Sequence, residues 1–313
     1  MESRAKKKPK KKRTLLKTII IIFILLILGG LGFAYYMYHS LANTLDGTHQ
    51  ALHRKVSEKR DEGVKFSEKD PISILLLGVD EREGDRGRSD SMILMTVNPE
   101  TKSMKMVSIP RDTRAEIIGH GTTDKINHAY AYGGVNMAVD TVENFLDVPV
   151  DYYVQVNMES FKDIVDAVGG VTVNNSLDFT YDGVHFKKGQ ISLDGEEALK
   201  FSRMRYEDPR GDFGRQERQR QIIQAVIKKG ASFNTLANYG DILDTIGKNI
   251  KTNLTFDNMK DIQSNYKEAR HSLEQLQVNG EGQKVDGVYY YVVSEAEREK
   301  LSTELKEHLN IKQ

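Results

Sequence analysis

The sequence contains no cysteine. That excludes disulfides, thiolate nucleophiles and cysteine-based metal sites. A Walker phosphate loop and a G-x-G-x-x-G dinucleotide fingerprint are also missing, so neither mode of nucleotide binding applies. Ser89 and Ser91 have no G-x-S-x-G setting and no evident His partner, which removes the usual serine hydrolase. His120 and His128 lack metal-ligand spacing. No internal repeat or low-complexity segment follows the basic N-terminus. Net charge is absent only as a sum. Residues 1–17 hold nine Lys or Arg and one Glu, a charge of +8, so residues 18–313 carry −8. So acidic a body is a poor generic nucleic-acid binder, and no nucleic-acid partner is expected.

The first feature present is an uncharged run of 21 residues, Thr18 to Tyr38. At 1.5 Å per residue it would span roughly 30 Å, one bilayer core. It is longer than a signal-peptide core and lacks an A-x-A cleavage site, which favours an uncleaved anchor. The basic block before it predicts a cytoplasmic tail (1–17), one transmembrane helix (18–38) and an extracellular remainder, a single-pass type II arrangement. Residues 39–70 are highly charged and weakly periodic, which reads as a helical or flexible stalk.

From residue 71 to 313 the pattern alternates between strands and helices. ISILLLGV (Ile72 to Val79), SMILMTV (Ser91 to Val97) and SMKMVSI (Ser103 to Ile109) read as strands, and Tyr152 to Asn157 as another. His128 to Tyr132, Val135 to Phe145, Met158 to Val168, Asp194 to Phe201 and Phe213 to Lys229 read as helices. Helical patterns continue from Leu236 to Leu276, followed by a strand at Gly287 to Val293 and a charged final helix. This order predicts one α/β domain with a central mixed sheet flanked by helices.

The chemistry gathers in three stretches. Asp80 falls just past the first strand and Asp90 at the start of the second. If the strands are neighbours, both carboxylates reach one sheet edge, where a hard cation such as Mg²⁺ would relieve their repulsion and bind phosphate oxygens. The alternative is two strand-capping turn residues. Arg88 shares a face with Asp90 if the backbone is extended, and Arg111 leaves the third strand just after a proline. Between Arg203 and Arg220 stand six arginines. Arg203 and Arg205 would align at i, i+2, while Arg215, Arg218 and Gln219 extend the apolar stripe of the helix beyond Ile222. A buried unpaired guanidinium is costly, so these groups should face an anion or a wet cleft. Ion pairing with Glu207, Asp208 and Asp212 is the structural alternative.

LLLGVDER, GRSDSMILMTVNP, MVSIPRDT, KINHAYAYGG, VDYYVQVN, VDAVGGV and LDGEEALKFSRMR…DFGRQERQRQ occur in the order found in the LytR-CpsA-Psr family. Over about residues 72–230 the chain resembles that family; residues 231–313 form a helical part without distinctive signal. The resemblance implies a cell-wall transferase that moves an anionic glycopolymer, wall teichoic acid above all, from a polyprenyl-pyrophosphate carrier onto peptidoglycan. It implies Mg²⁺, or Mn²⁺ in its place, at Asp80 and Asp90. Arg88, Arg111, Arg203, Arg205, Arg215, Arg218 and Gln219 would bind pyrophosphate, with Arg88, Arg111 and Asp212 at the chemistry. The helices around Val135 to Phe145 and Ile222 to Ile227 are candidates for lining a lipid cavity. A hydrolase at the same site, or a non-enzymatic lipid-pyrophosphate binder, uses the same residues.

Overall fold

The structure, a computed structural model, describes residues 47–81, 87–230 and 250–311, together with 36, 39 and 40. The expected transmembrane helix and cytoplasmic tail lie almost wholly outside the described residues. No described helix is long and apolar enough to cross a membrane.

From residue 45 onward the chain forms one compact unit. Strands β1 (Ile72–Val79), β2 (Ser89–Asn98) and β3 (Ser103–Ile109) run antiparallel in succession. A hairpin follows, β4 (Arg114–Ile117) with β5 (Thr122–Lys125), and then helix α1 (His128–Leu146). Strand β6 (Tyr152–Asn157) returns parallel to β1. Helix α2 (Met158–Ala167) leads to a satellite of β7 (Val171–Asn175), β8 (Phe179–Tyr181), β9 (Val184–Phe186) and β10 (Gly189–Leu193). Helices α3 (Gly195–Arg203) and α4 (Asp212–Gly230) come next. Strand β11 (Ile250–Thr252), helix α5 (Phe256–Asn265), β12 (Leu273–Gln277), hairpin β13 (Glu281–Val285) with β14 (Val288–Val292), and α6 (Glu295–His308) complete the unit. The central sheet has six strands in the order β11-β6-β1-β2-β3-β12 and is mixed. This is the α/β domain that the strand–helix alternation predicts.

Both faces of the sheet are covered, which is why β1 reads as a continuous apolar run. Leu75, Leu77 and Val79 pack with Val139, Val142 and Leu305 from α1 and α6. Ile72, Ile74 and Met106 pack the other face with Tyr266, Ile223 and Ile227. A third cluster, Val173, Phe186, Phe201 and Ile222, joins the satellite strands to α3 and α4. Val135, Val142, Phe145 and Ile222 are buried within these clusters.

Two expectations are corrected and one holds. Residues 47–70 are no free stalk: Arg60 Nε lies 2.6 Å from Asp151, Arg54 Nη2 lies 2.7 Å from Glu143, and Phe66 is buried. The charges that suggested a solvated segment make ion pairs with the domain instead. Within the stretch expected to be helical from Leu236 to Leu276, residues 231–249 lie outside the described residues. Its end forms β12, which pairs parallel to β3 because that sheet edge offers unfilled backbone groups. The two helices expected over 128–145 are both present within α1, divided at Gly134, where the backbone is non-helical.

Candidate active site

Strands β1 and β3 run parallel to each other and antiparallel to β2. The end of β1, the start of β2 and the end of β3 therefore share one edge of the sheet. This topology brings Asp80, Asp90 and Arg111 together where α/β folds usually hold ligands. Asp90 reaches that edge through an irregularity absent from the sequence reading. Gly78 pairs with Ser91 and Val79 with Ser89, so Asp90 is an extra residue in β2. Such a bulge kinks the strand and re-aims the side chain it carries. Ser89 and Ser91 pair with successive residues of β1 and so lie on opposite faces, although they are two residues apart. Arg88 is exposed, and its carbonyl accepts from the backbone N–H groups of both Asp80 and Asp90, each at 3.2 Å.

Asp90 is held on both oxygens. Arg111 Nη1 lies 3.0 Å from Oδ2, and Asn127 Nδ2 donates to Oδ1 at 3.1 Å. Asn127 was missed by sequence reasoning, since an Asn before a helix reads as a cap. Here its side chain makes no cap bond, and its backbone N–H donates to the Arg111 carbonyl at 3.3 Å. Burial pulls the Arg111 guanidinium down, but Asp90, Asp112 and Asp212 outweigh it and hold it above its ordinary range.

Helix α4 brings the second half of the site. Asp212 begins it, and Arg215 Nη2 lies 2.6 Å from Asp212 Oδ1; Arg205 Nε lies 3.9 Å from the same oxygen. The other Asp212 oxygen accepts from Gln216 at 2.8 Å. Arg215 also approaches the Asp90 carbonyl at 3.5 Å. Its guanidinium is pushed down, first by burial and further by the charges of Arg111 and Arg205, against the pull of Asp212 and Asp90. It stays cationic regardless. Gln219 Oε1 accepts from Ser91 Oγ at 3.0 Å and so borders the site beside the bulge. Arg111, Arg205 and Arg215 with Asp90 and Asp212 thus form one cluster. Asp112, 3.9 Å from Arg111 Nε, borders the same cluster. Buried atoms without a hydrogen-bond partner among the described residues include Arg215 Nε, Ser89 Oγ and Asn127 Oδ1. Such atoms ask for a ligand or water.

Arg218 and Arg203 are placed differently from Arg205 and Arg215. Arg218 is 4% exposed and fully engaged: Nη1 lies 2.6 Å from Asp208, Nε donates to the Phe201 carbonyl at 3.0 Å, and Nη2 donates to the Met204 carbonyl. Its guanidinium also lies 5.4 Å from the centre of the Phe179 ring. It is a structural staple between α4 and the end of α3. Gly214 is part of that staple, because a Cβ there would fall 1.8 Å from Asp208 Oδ2. Arg203 is the last helical residue of α3, not part of an extended pair with Arg205. It is exposed and lines a hollow with Tyr181, Asp182, Glu196, Leu199 and Lys200.

For a divalent cation, the described residues contain no group of three or more His, Asp or Glu ligands. The hard-oxygen set is Asp80 and Asp90, with Ser89 Oγ buried between them in sequence. One or two carboxylates completed by phosphate oxygens and water is how Mg²⁺ is usually bound, and the residues present fit that mode.

The LytR_cpsA_psr family matches residues 35–307. The polyisoprenyl-teichoic acid–peptidoglycan teichoic acid transferase TagU of Bacillus cereus is 59% identical over 286 residues, covering 91% of this chain and 94% of the relative. The crystal structure of Bacillus subtilis TagU is 55% identical, covers 78% of this chain and 99% of its own, and has a TM-score of 0.64. A structure of TagT bound to LI-WTA is 36% identical over 84% of this chain and 100% of its own, with a TM-score of 0.72.

Proposed function

The chain belongs to the LytR_cpsA_psr family, and from that premise we propose that it transfers an anionic glycopolymer, wall teichoic acid, from a polyprenyl-pyrophosphate carrier onto peptidoglycan. The observation that carries the reading is the convergence of Arg111, Arg205 and Arg215 on Asp90 and Asp212 at the sheet edge, with Arg215 Nε left without an acceptor. Guanidiniums match phosphate oxygens in planar, bidentate fashion. A pyrophosphate would supply the acceptor that Arg215 Nε lacks. The activity for which the relatives are named, teichoic acid transfer to peptidoglycan, is the reaction such a site would serve.

A pyrophosphate is already activated, so holding it in line and stabilising its developing charge are the main tasks. Arg111, fixed by Asp90 and by Asn127 beneath it, would grip one phosphate. Arg205 and Arg215, fixed by Asp212, would grip the other, with Arg88 at the exposed rim. The acceptor hydroxyl oxygen attacks the phosphorus bearing the glycopolymer. The bond from that phosphorus to the bridging oxygen breaks, and polyprenyl phosphate leaves. Asp212 is the candidate to take the acceptor's proton. Mg²⁺, held by Asp80 and Asp90, would neutralise charge on the leaving phosphate. Membrane anchoring by the apolar run at residues 18–38, with the catalytic domain extracellular, would place the site at the carrier lipid.

The test uses the full chain in detergent with a labelled polyprenyl-pyrophosphoryl disaccharide, Mg²⁺ and peptidoglycan oligomers. Label moving onto peptidoglycan, and lost in Arg111→Ala and Asp90→Ala, supports the transferase. Release of label only to water would make the site a hydrolase, and binding without turnover would make it a docking protein.

A further inference from the structure

We propose that His120 and Tyr132 form a stacking platform for a pyranose ring of the acceptor glycan, beside the reaction centre. The identity of that occupant rests on the transferase reading above. The two rings lie face to face, with centroids 4.0 Å apart and planes 6° from parallel. His120 is exposed at the tip of the β4–β5 hairpin, and Tyr132, on the first turns of α1, is 41% exposed. Beneath it, Asp124 accepts from Tyr132 Oη and His128 Nδ1 at 2.7 Å each, and from Tyr290 Oη at 3.3 Å. Burial alone would raise the Asp124 carboxyl; the bonds from His128 and Tyr132 outweigh it and hold it at about 2. The break in α1 at Gly134, whose φ of +67 suits glycine, separates the turn carrying Tyr132 from the helix that packs on the sheet.

The platform is continuous with the site. Lys125, next to Asp124, lies 2.7 Å from Asp112, the neighbour of Arg111. Asn127, two residues further, holds Asp90. The charge of Arg88 also acts on the Tyr132 phenol, opposing the upward pull of Asp124. A sugar stacked here would lie on the Arg88 side, within reach of a phosphate gripped by Arg111. Pyranose rings present a face of C–H groups that packs on aromatic rings, with hydroxyls at the edge for polar partners. In the proposed reaction the donor's phosphates occupy Arg111, Arg205 and Arg215, which leaves the aromatic pair on the Arg88 side to the incoming acceptor.

The chain has no tryptophan, so Tyr132→Trp in the full-length protein places a single indole at the platform. Titration with GlcNAc–MurNAc oligosaccharide should give a saturable fluorescence change, weakened about tenfold in affinity by adding His120→Ala. In the transfer assay, His120→Ala and Tyr132→Ala should each raise the peptidoglycan KM about tenfold, leaving the donor KM unchanged. Tyr132→Phe, which keeps the ring, should retain most acceptor affinity. An indole blind to the glycan, an unchanged acceptor KM, or a raised donor KM instead would each overturn the proposal. If the protein transfers nothing yet the indole still titrates with glycan, the transferase reading falls and the platform stands.

Discussion

Arg215 and Arg218 stand one helical turn apart on α4, and they do opposite things. Arg218 has a carboxylate and two carbonyls for its donors and two aromatic rings against its plane. Arg215 has Asp212 on one nitrogen, a distant carbonyl, two like charges nearby and an Nε with nothing to bond. Arg218 is buried, the Arg215 side chain is 11% exposed, and both are lowered by desolvation. What separates them is satisfaction. A guanidinium whose donors are all used can only hold the fold, whereas one left partly unused, beside other cations, is set for an incoming anion. Burial of an arginine therefore says little about its role until its partners are counted.

The comparison is sharpest when both residues are cut to the same side chain. Arg218→Met should cost about 3 kcal/mol of stability, because Asp208 is left buried with only the Arg210 contacts and two carbonyls lose their donors. Thermal or urea unfolding measures this, and transfer activity should fall only in step with the folded fraction. Arg215→Met should do the reverse. Transfer should drop by about 10² to 10³, while the melting temperature stays level or rises, since a desolvated cation crowded by Arg111 and Arg205 has been removed. If Arg215→Met unfolds the protein, or Arg218→Met abolishes transfer with the fold intact, the assignment of roles is reversed.

Reading the chain as sequence reached the strands β1 to β3 and the helix α4 because their apolar runs and periodicity need no tertiary information. The same residues could not reveal the extra residue at Asp90. A bulge changes strand parity by one without changing composition, so alternation along the sequence does not predict the faces on either side of Asp90. LEQLQ (Leu273 to Gln277) carries no β-branched or aromatic residue and reads as helix; it becomes a strand only because β3 offers an edge to pair with. Arg203 and Arg205 look equivalent at i, i+2. The last turn of α3 extends through Arg203, so the two diverge, and only Arg205 reaches Asp212. The arginine-rich chemistry was legible; the division of the arginines into staple and site was not, since it depends on which carbonyls and carboxylates fold against each.

The smallest of the three effects concerns the staple's acidic partner. Asp208 is raised by burial but more strongly lowered by its bonds to Arg210 and Arg218, which bring it to about 2 from an ordinary 3.8. A carboxyl lowered in the folded state stabilises the protein above its unfolded value. That contribution is present above about pH 4 and is lost as pH falls through about 2, amounting to about 2 kcal/mol. Asp124, also held at about 2, titrates in the same window. The discriminating quantity is therefore the difference between wild type and Asp208→Asn in melting temperature from pH 5 to pH 2. The variant should start lower and converge with wild type as acid protonates Asp208. Parallel curves would mean that Asp208 gains nothing from its two arginines, and the staple would then owe its strength to the carbonyls of Phe201 and Met204. Replacing both members, as Asp208→Asn with Arg218→Met, should recover part of the loss seen in Arg218→Met alone, because it no longer strands a charge in the interior.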